Sequence, residues 1–114
     1  MNRPIKFRAW DKENEVMIIN DFVNKEASCF IAYNEIAQEW VKEEDIILMQ
    51  FTDLLDKNGV EIYEGDILKH GDLHIVEWVS PRFLAGRLYM SFWSEAEVIG
   101  NIYENPDLLK GDER

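Results

Sequence analysis

Ile5-Lys6-Phe7-Arg8-Ala9-Trp10 alternates along the chain, with Ile5, Phe7 and Ala9 on one face and Lys6, Arg8 and Trp10 on the other. A period of two is that of a half-buried strand. Asp11 to Asn14 is polar and turn-like, and Val16 to Ile19 predicts a second strand that closes an N-terminal hairpin. Ala27 to Tyr33, rich in Phe, Ile and Tyr, predicts a third strand.

The segment from Asn34 to Lys42 supports two readings. Ile36, Ala37, Trp40 and Val41 suit one face of a short helix capped by Asn34, or a strand with Trp40 inward. Glu43-Glu44-Asp45 is a charged break before the buried strand Ile46 to Phe51.

Turn chemistry dominates the second half. Asp56-Lys57-Asn58-Gly59 contains Asn-Gly, which tolerates positive φ at both central positions of a hairpin turn. Val60 to Tyr63 follows, then a turn at Glu64-Gly65-Asp66. Strands are expected at Ile67 to His70 and Leu73 to Val79 around a two-residue loop, Gly71-Asp72. Pro81 marks a further turn. A long strand is expected from Phe83 to Phe92 with Gly86 as a bend, and a last one from Glu97 to Ile102. Short strands joined by tight turns favour a small barrel over alternating strands and helices. The expected fold is mainly β (β-rich α+β): an N-terminal β-hairpin region, then a small SH3-like or pseudo-barrel of about five short antiparallel strands. Residues 1–50 form the N-terminal lobe, residues 51–109 the small barrel, packed with it as one compact unit, and residues 110–114 a frayed tail.

Composition narrows the function. The chain has 114 residues, 46% of them hydrophobic, which is enough apolar surface to exclude global disorder. Its 23 acids against 12 bases give a net charge of -11, which argues against bulk nucleic-acid binding through phosphate contacts. The charge is uneven: residues 1–12 are net basic, whereas residues 13–66 carry 14 acids and three bases. A local basic face at Lys6 and Arg8, beside Trp10, is therefore compatible with the acidic total.

Cys29 is the single cysteine, so no intrachain disulfide forms, and its apolar neighbours predict a buried small hydrophobe rather than a reactive thiol. The charged N-terminus is unlike a signal peptide, and no apolar run approaches the roughly 20 residues of a membrane span. A cytoplasmic protein is expected.

Catalytic signatures are lacking. His70 and His74 have i, i+4 spacing, but Gly71-Asp72 between them predicts a hairpin that sends the rings to opposite sides. No G-x-S-x-G elbow, P-loop or G-x-G-x-x-G occurs, and Asp53, Asp56 and Asn58 lack the remainder of a calcium loop. Close carboxylate pairs such as Glu61 with Glu64 arise readily among 23 acids. The chain thus reads as a non-enzyme without cofactor or metal. Surface anchors are sought among Lys6, Arg8, Trp10 and Trp93, the last at the rim of Phe92-Trp93-Ser94.

Three longer phrases carry a resemblance. They are Ile5-Lys6-Phe7-Arg8-Ala9-Trp10-Asp11; Leu48-Met49-Gln50-Phe51-Thr52 with Asp56 through Ile67; and Glu97 through Pro106. In this order they resemble the YopX family of bacteriophage and prophage proteins. Asp53 departs from the glycine common in the family after the threonine, so a different backbone turn is expected there. The resemblance implies a phage or prophage gene acting in a bacterial host and a mostly β fold, and it brings no catalytic residues to carry over. The leading expectation is a protein-interaction module whose partner is an unknown host or phage protein. An acidic mimic of nucleic acid, a nucleic-acid-binding small barrel and self-association into a homo-oligomer stand as alternatives.

Overall fold

A computed structural model describes residues 6–26, 29–79, 82–85 and 90–110 of the chain. It divides into two compact units, Met1–Gln50 and Phe51–Arg114. The fold is mainly β, with antiparallel pairing throughout the described residues.

In the first unit, β1 (Phe7–Asp11) and β2 (Val16–Ile18) form the expected hairpin, with Ala9 opposite Ile18 and Asp11 opposite Val16. Glu15 turns it at φ 54. β3 (Val23–Glu26), β4 (Cys29–Asn34) and β5 (Glu39–Lys42) make a second sheet. The pattern of side chains gives no sign of β3. Val23 is its one apolar residue, and register against β4 supplies what propensity does not.

The segment after Asn34 is neither a helix nor a strand with Trp40 inward. Residues 35–38 form a turn, Gln38 takes φ 57, and β5 starts at Glu39. Alternation then buries Val41 and leaves Trp40 on the outside.

The first core gathers Ala9, Ile18, Ala32, Val41 and Ile46, with Phe22, Val23, Phe30 and Leu48 against it. Phe7, Ala9 and Asp11 share the core-facing side of β1 by alternation. Cys29 is only half-buried, against expectation, because it opens β4 at the end of the sheet.

β6 (Ile46–Leu55) is longer than its apolar run suggests. Ile46 to Gln50 pair with β1, and Phe51 and Leu55 pair with β7 (Glu61–Tyr63) in the second unit. The β6–β7 register shifts between Phe51 and Leu55, and Asp53 stands in that irregularity at φ 70. The backbone there takes the left-handed conformation that glycine favours. Thr52 stitches the site: its Oγ1 donates to the Ile62 carbonyl at 2.7 Å and accepts the Leu54 N–H at 3.2 Å.

β8 (Asp66–His70), β9 (Asp72–Val79), β10 (Arg82–Ala85) and β11 (Glu97–Asn101) form an antiparallel sheet in the order β10-β9-β8-β11. The β8–β9 hairpin turns around Gly71 at φ 76, with His70 opposite Asp72 and Leu68 opposite His74. This register differs by one residue from that of a two-residue loop. By alternation it brings His70 and His74 to the same side of the ribbon, correcting the opposed arrangement.

The long strand expected from Phe83 to Phe92 is also corrected. Described strand covers Arg82–Ala85, and Met90–Glu95 is a 3-10 turn; residues 86–89, Gly86 among them, lie outside the described residues. That turn buries Trp93 completely among Ile62, Leu68, Val76, Phe83, Ala85 and Ala96. A short helix, α1 (Asp107–Lys110), follows Pro106 and takes in Lys110, the first residue of the tail expected to fray; residues 111–114 lie outside the described residues.

Candidate functional site

Most buried polar groups are spent on turns. Asp11 is fully buried, and its carboxylate accepts the N–H of Glu13 at 3.1 Å and of Asn14 at 3.2 Å, together with the side-chain amides of Asn14 and Asn34, both at 2.8 Å. Burial pushes this carboxyl up, but the hydrogen bonds from Asn14, Asn34 and Glu13 outweigh it and hold the group below the ordinary carboxylate range. Asn34 then uses its Oδ1 on the N–H groups of Ile36 and Ala37, at 2.9 and 3.0 Å. That Asx turn takes the place of the helical alternative.

Asp56 repeats the device. Its Oδ1 accepts the N–H of Asn58 at 2.8 Å and of Val60 at 2.9 Å, and its Oδ2 accepts that of Val98 at 2.8 Å. Burial again raises the carboxyl, and the N–H donors of Val98, Val60 and Asn58 with the Lys57 charge bring it below its ordinary value. In this loop Gly59 carries the positive φ of 80, while Asn58 does not share it as the Asn-Gly reading supposed. Asp66 accepts the Tyr63 N–H at 2.7 Å beside Gly65 at φ 88. Asn101 accepts the N–H groups of Tyr103 and Glu104 and donates to the Glu104 carboxylate at 2.8 Å. Hydrogen bonds of this kind fix corners and hold acids ionised.

Lys6, Arg8 and Trp10 do share a face of the first strand segment, and each is half-buried. Arg8 lies opposite the buried Met49, and Trp10 is flanked by Met17 and Ile47 on the two neighbouring strands. These residues line a partly covered sheet face. Trp93, sought as a rim anchor, is 0% exposed and is core. Among the described residues no group of three or more His, Cys, Asp or Glu is placed to hold a metal ion, and no helix is long and apolar enough to cross a membrane.

Exposed apolar residues of the second unit include Leu55, Val60, Trp78 and Phe92, and those of the first unit gather elsewhere. Beside β2, a groove of about 140 Å³ is lined by Val16, Met17, Ile18, Ile19, Phe22 and the segment Tyr33 to Ile36. Ile19 and Ile36 stand at it 57% and 80% exposed. Tyr33 joins the groove to Trp40, 56% exposed, through an edge-to-face contact with ring centroids 5.1 Å apart. Large apolar residues exposed together mark contact surfaces more often than single ones do. Sequence reasoning missed this patch because Ile36 and Trp40 at i, i+4 look like a buried helical face. The Asn34 turn projects them outward instead, and an Asn preceding a short polar-edged segment was the available signal.

The chain belongs to the YopX family: the model of that family, described as YopX protein, matches residues 6–110. It is also similar to the crystal structure of protein EF1440 from Enterococcus faecalis, with TM-score 0.70 and 30% identity over 95% of this chain and 99% of that one. No curated protein matches it. The phrases quoted for the resemblance contain the corners described above, at Asp11, Asp56 to Gly59, Gly65-Asp66 and Asn101.

Proposed function

We propose that this chain is a non-enzymatic protein-interaction module encoded by a phage or prophage, acting on a host or phage protein in the bacterial cytoplasm. The supporting observation is the exposed apolar patch of the first unit, where Ile19 and Ile36 stand at the groove beside β2 and Trp40 adjoins it through Tyr33. Binding energy in protein interfaces concentrates on a few large side chains in or beside pockets, tryptophan prominent among them. Buried polar side chains at Asp11, Asn34, Asp56 and Asp66 are occupied by structural hydrogen bonds, which favours a scaffold role for them over chemistry.

Tagged full-length chain, purified from host lysate after chemical cross-linking, tests the reading against two surface variants, Ile36→Ser and Trp40→Ser. One specific protein captured by the parent and lost from both variants is the expected result. No specific capture in any growth state, or equal capture by the variants, overturns it.

A further inference from the structure

We propose that the occupant of the β2 groove is an extended peptide segment bearing alternating apolar and cationic side chains, added as a strand along the β2 edge. This rests on the reading of the groove as the contact surface and specifies what enters it.

Three observations converge. First, β2 is the terminal strand of its sheet, which runs β2-β1-β6-β7, so among the described residues one side of Val16-Met17-Ile18 has no hydrogen-bonded strand. An exposed edge offers backbone donors and acceptors to an incoming strand. Second, the groove opens at this strand: residues 16–19 contribute one wall, and residues 33–36, the end of β4 and the turn after it, contribute the other. Its volume of about 140 Å³ suits one aliphatic side chain, which is how pockets beside an added strand select alternate residues. Third, the surroundings are acidic. Glu15 and Asp21, both exposed, adjoin the lining residues Val16 and Phe22 in the chain. Glu35 itself lines the groove. A strand with apolar residues toward the groove and Lys or Arg toward this rim satisfies shape and charge together, whereas a second copy of this chain brings net -11 against the same acids.

The test is a titration of isotope-labelled full-length chain, followed by amide NMR. The probes are three blocked eight-residue peptides: alternating Val and Lys, alternating Val and Glu, and the Val–Lys peptide N-methylated on alternate residues. Shifts confined to residues 16–19 and 33–36 with the Val–Lys peptide alone support the proposal. So does affinity reduced roughly tenfold by Ile36→Ser, or by raising salt to about 0.5 M. Equal binding of the Val–Glu peptide overturns the charge assignment, and equal binding of the N-methylated peptide overturns strand addition. Dimerisation of the free chain through the same residues overturns the choice of occupant. If no peptide binds while Ile36-dependent capture of a whole protein persists, this proposal fails and the docking reading survives.

Discussion

Asn34 donates its side-chain amide to the Asp11 carboxylate at 2.8 Å, with both residues buried at 1% and 0% exposure. The bond joins the end of β4 to the end of β1, 23 positions away in sequence. It also orients Asn34 so that its oxygen builds the following turn. Asn34→Ala removes both functions and leaves a buried carboxylate short of a donor. Such a loss costs about 2–4 kcal/mol. Urea denaturation of the parent, Asn34→Ala, Asp11→Ala and the double variant measures it, and the two single losses should not add.

Acid should destabilise the protein through two particular carboxylates. Asp11 and Asp56 are held below their ordinary value of 3.8 in the folded chain. A carboxyl depressed on folding contributes stability above its unfolded value, and that contribution fades as pH falls through the folded value. Stability measured from about pH 6 downward should therefore drop below about pH 4, and the drop should be shallower in Asp11→Asn and Asp56→Asn. An acid limb unchanged in both variants would contradict the assignment.

Asp53 occupies a φ of 70 inside the β6 irregularity. Glycine takes that conformation without steric cost, and alanine does not. Asp53→Gly should be more stable than Asp53→Ala by about 1 kcal/mol. Comparing two truncated variants cancels whatever the aspartate side chain itself contributes. Equal melting temperatures would show that the loop relaxes out of the left-handed region.

Gly100 leaves room for a neighbour, not for a backbone twist. A Cβ there would stand 2.5 Å from the Asn105 Oδ1, the atom that accepts the Asn101 N–H at 3.2 Å. Gly100→Ala must displace Asn105, at a cost of about 1–3 kcal/mol. Adding Asn105→Gly should recover part of it by thermal denaturation, since the clash goes while the hydrogen bond stays lost.

Trp93 is the largest fully buried side chain of the second unit. Trp93→Ala should cost about 3–5 kcal/mol, enough to lose much of a small domain's margin. Ile36→Ser, 80% exposed at the start, should stay within about 0.5 kcal/mol of the parent. This contrast separates the core tryptophan from the surface patch by denaturation alone.

Much of the fold was legible because its corners are local. The β1–β2 hairpin, the Asp56 loop and the Gly65 and Gly71 turns are written in residues within a few positions of each other. What failed depended on partners distant in sequence or on a shift of one position. β3 exists because β4 lies beside it, and Asn24, Lys25 and Glu26 carry no strand signal of their own. The side of the ribbon taken by His74 followed from a loop one residue different from the one assumed. Trp93 was misplaced because a 3-10 turn, with no period of two, stands where a strand was expected. The groove was the hardest feature to see. Its exposed residues are apolar, and an apolar pattern alone does not distinguish a buried face from one projected outward by an Asx turn.

The two oxygens of Asp56 look in different directions along the chain. Oδ1 serves Asn58 and Val60, a handful of residues away, while Oδ2 serves Val98 in β11, 42 positions later. Closing the near loop requires little chain entropy, and closing the far one requires much more. During synthesis the loop can therefore form with one oxygen still hydrated. The second is taken up only when the last strand is made and reaches its place. A single carboxylate thus links an early corner to the completion of the sheet, and chains truncated before Val98 would keep the turn but lack the clasp.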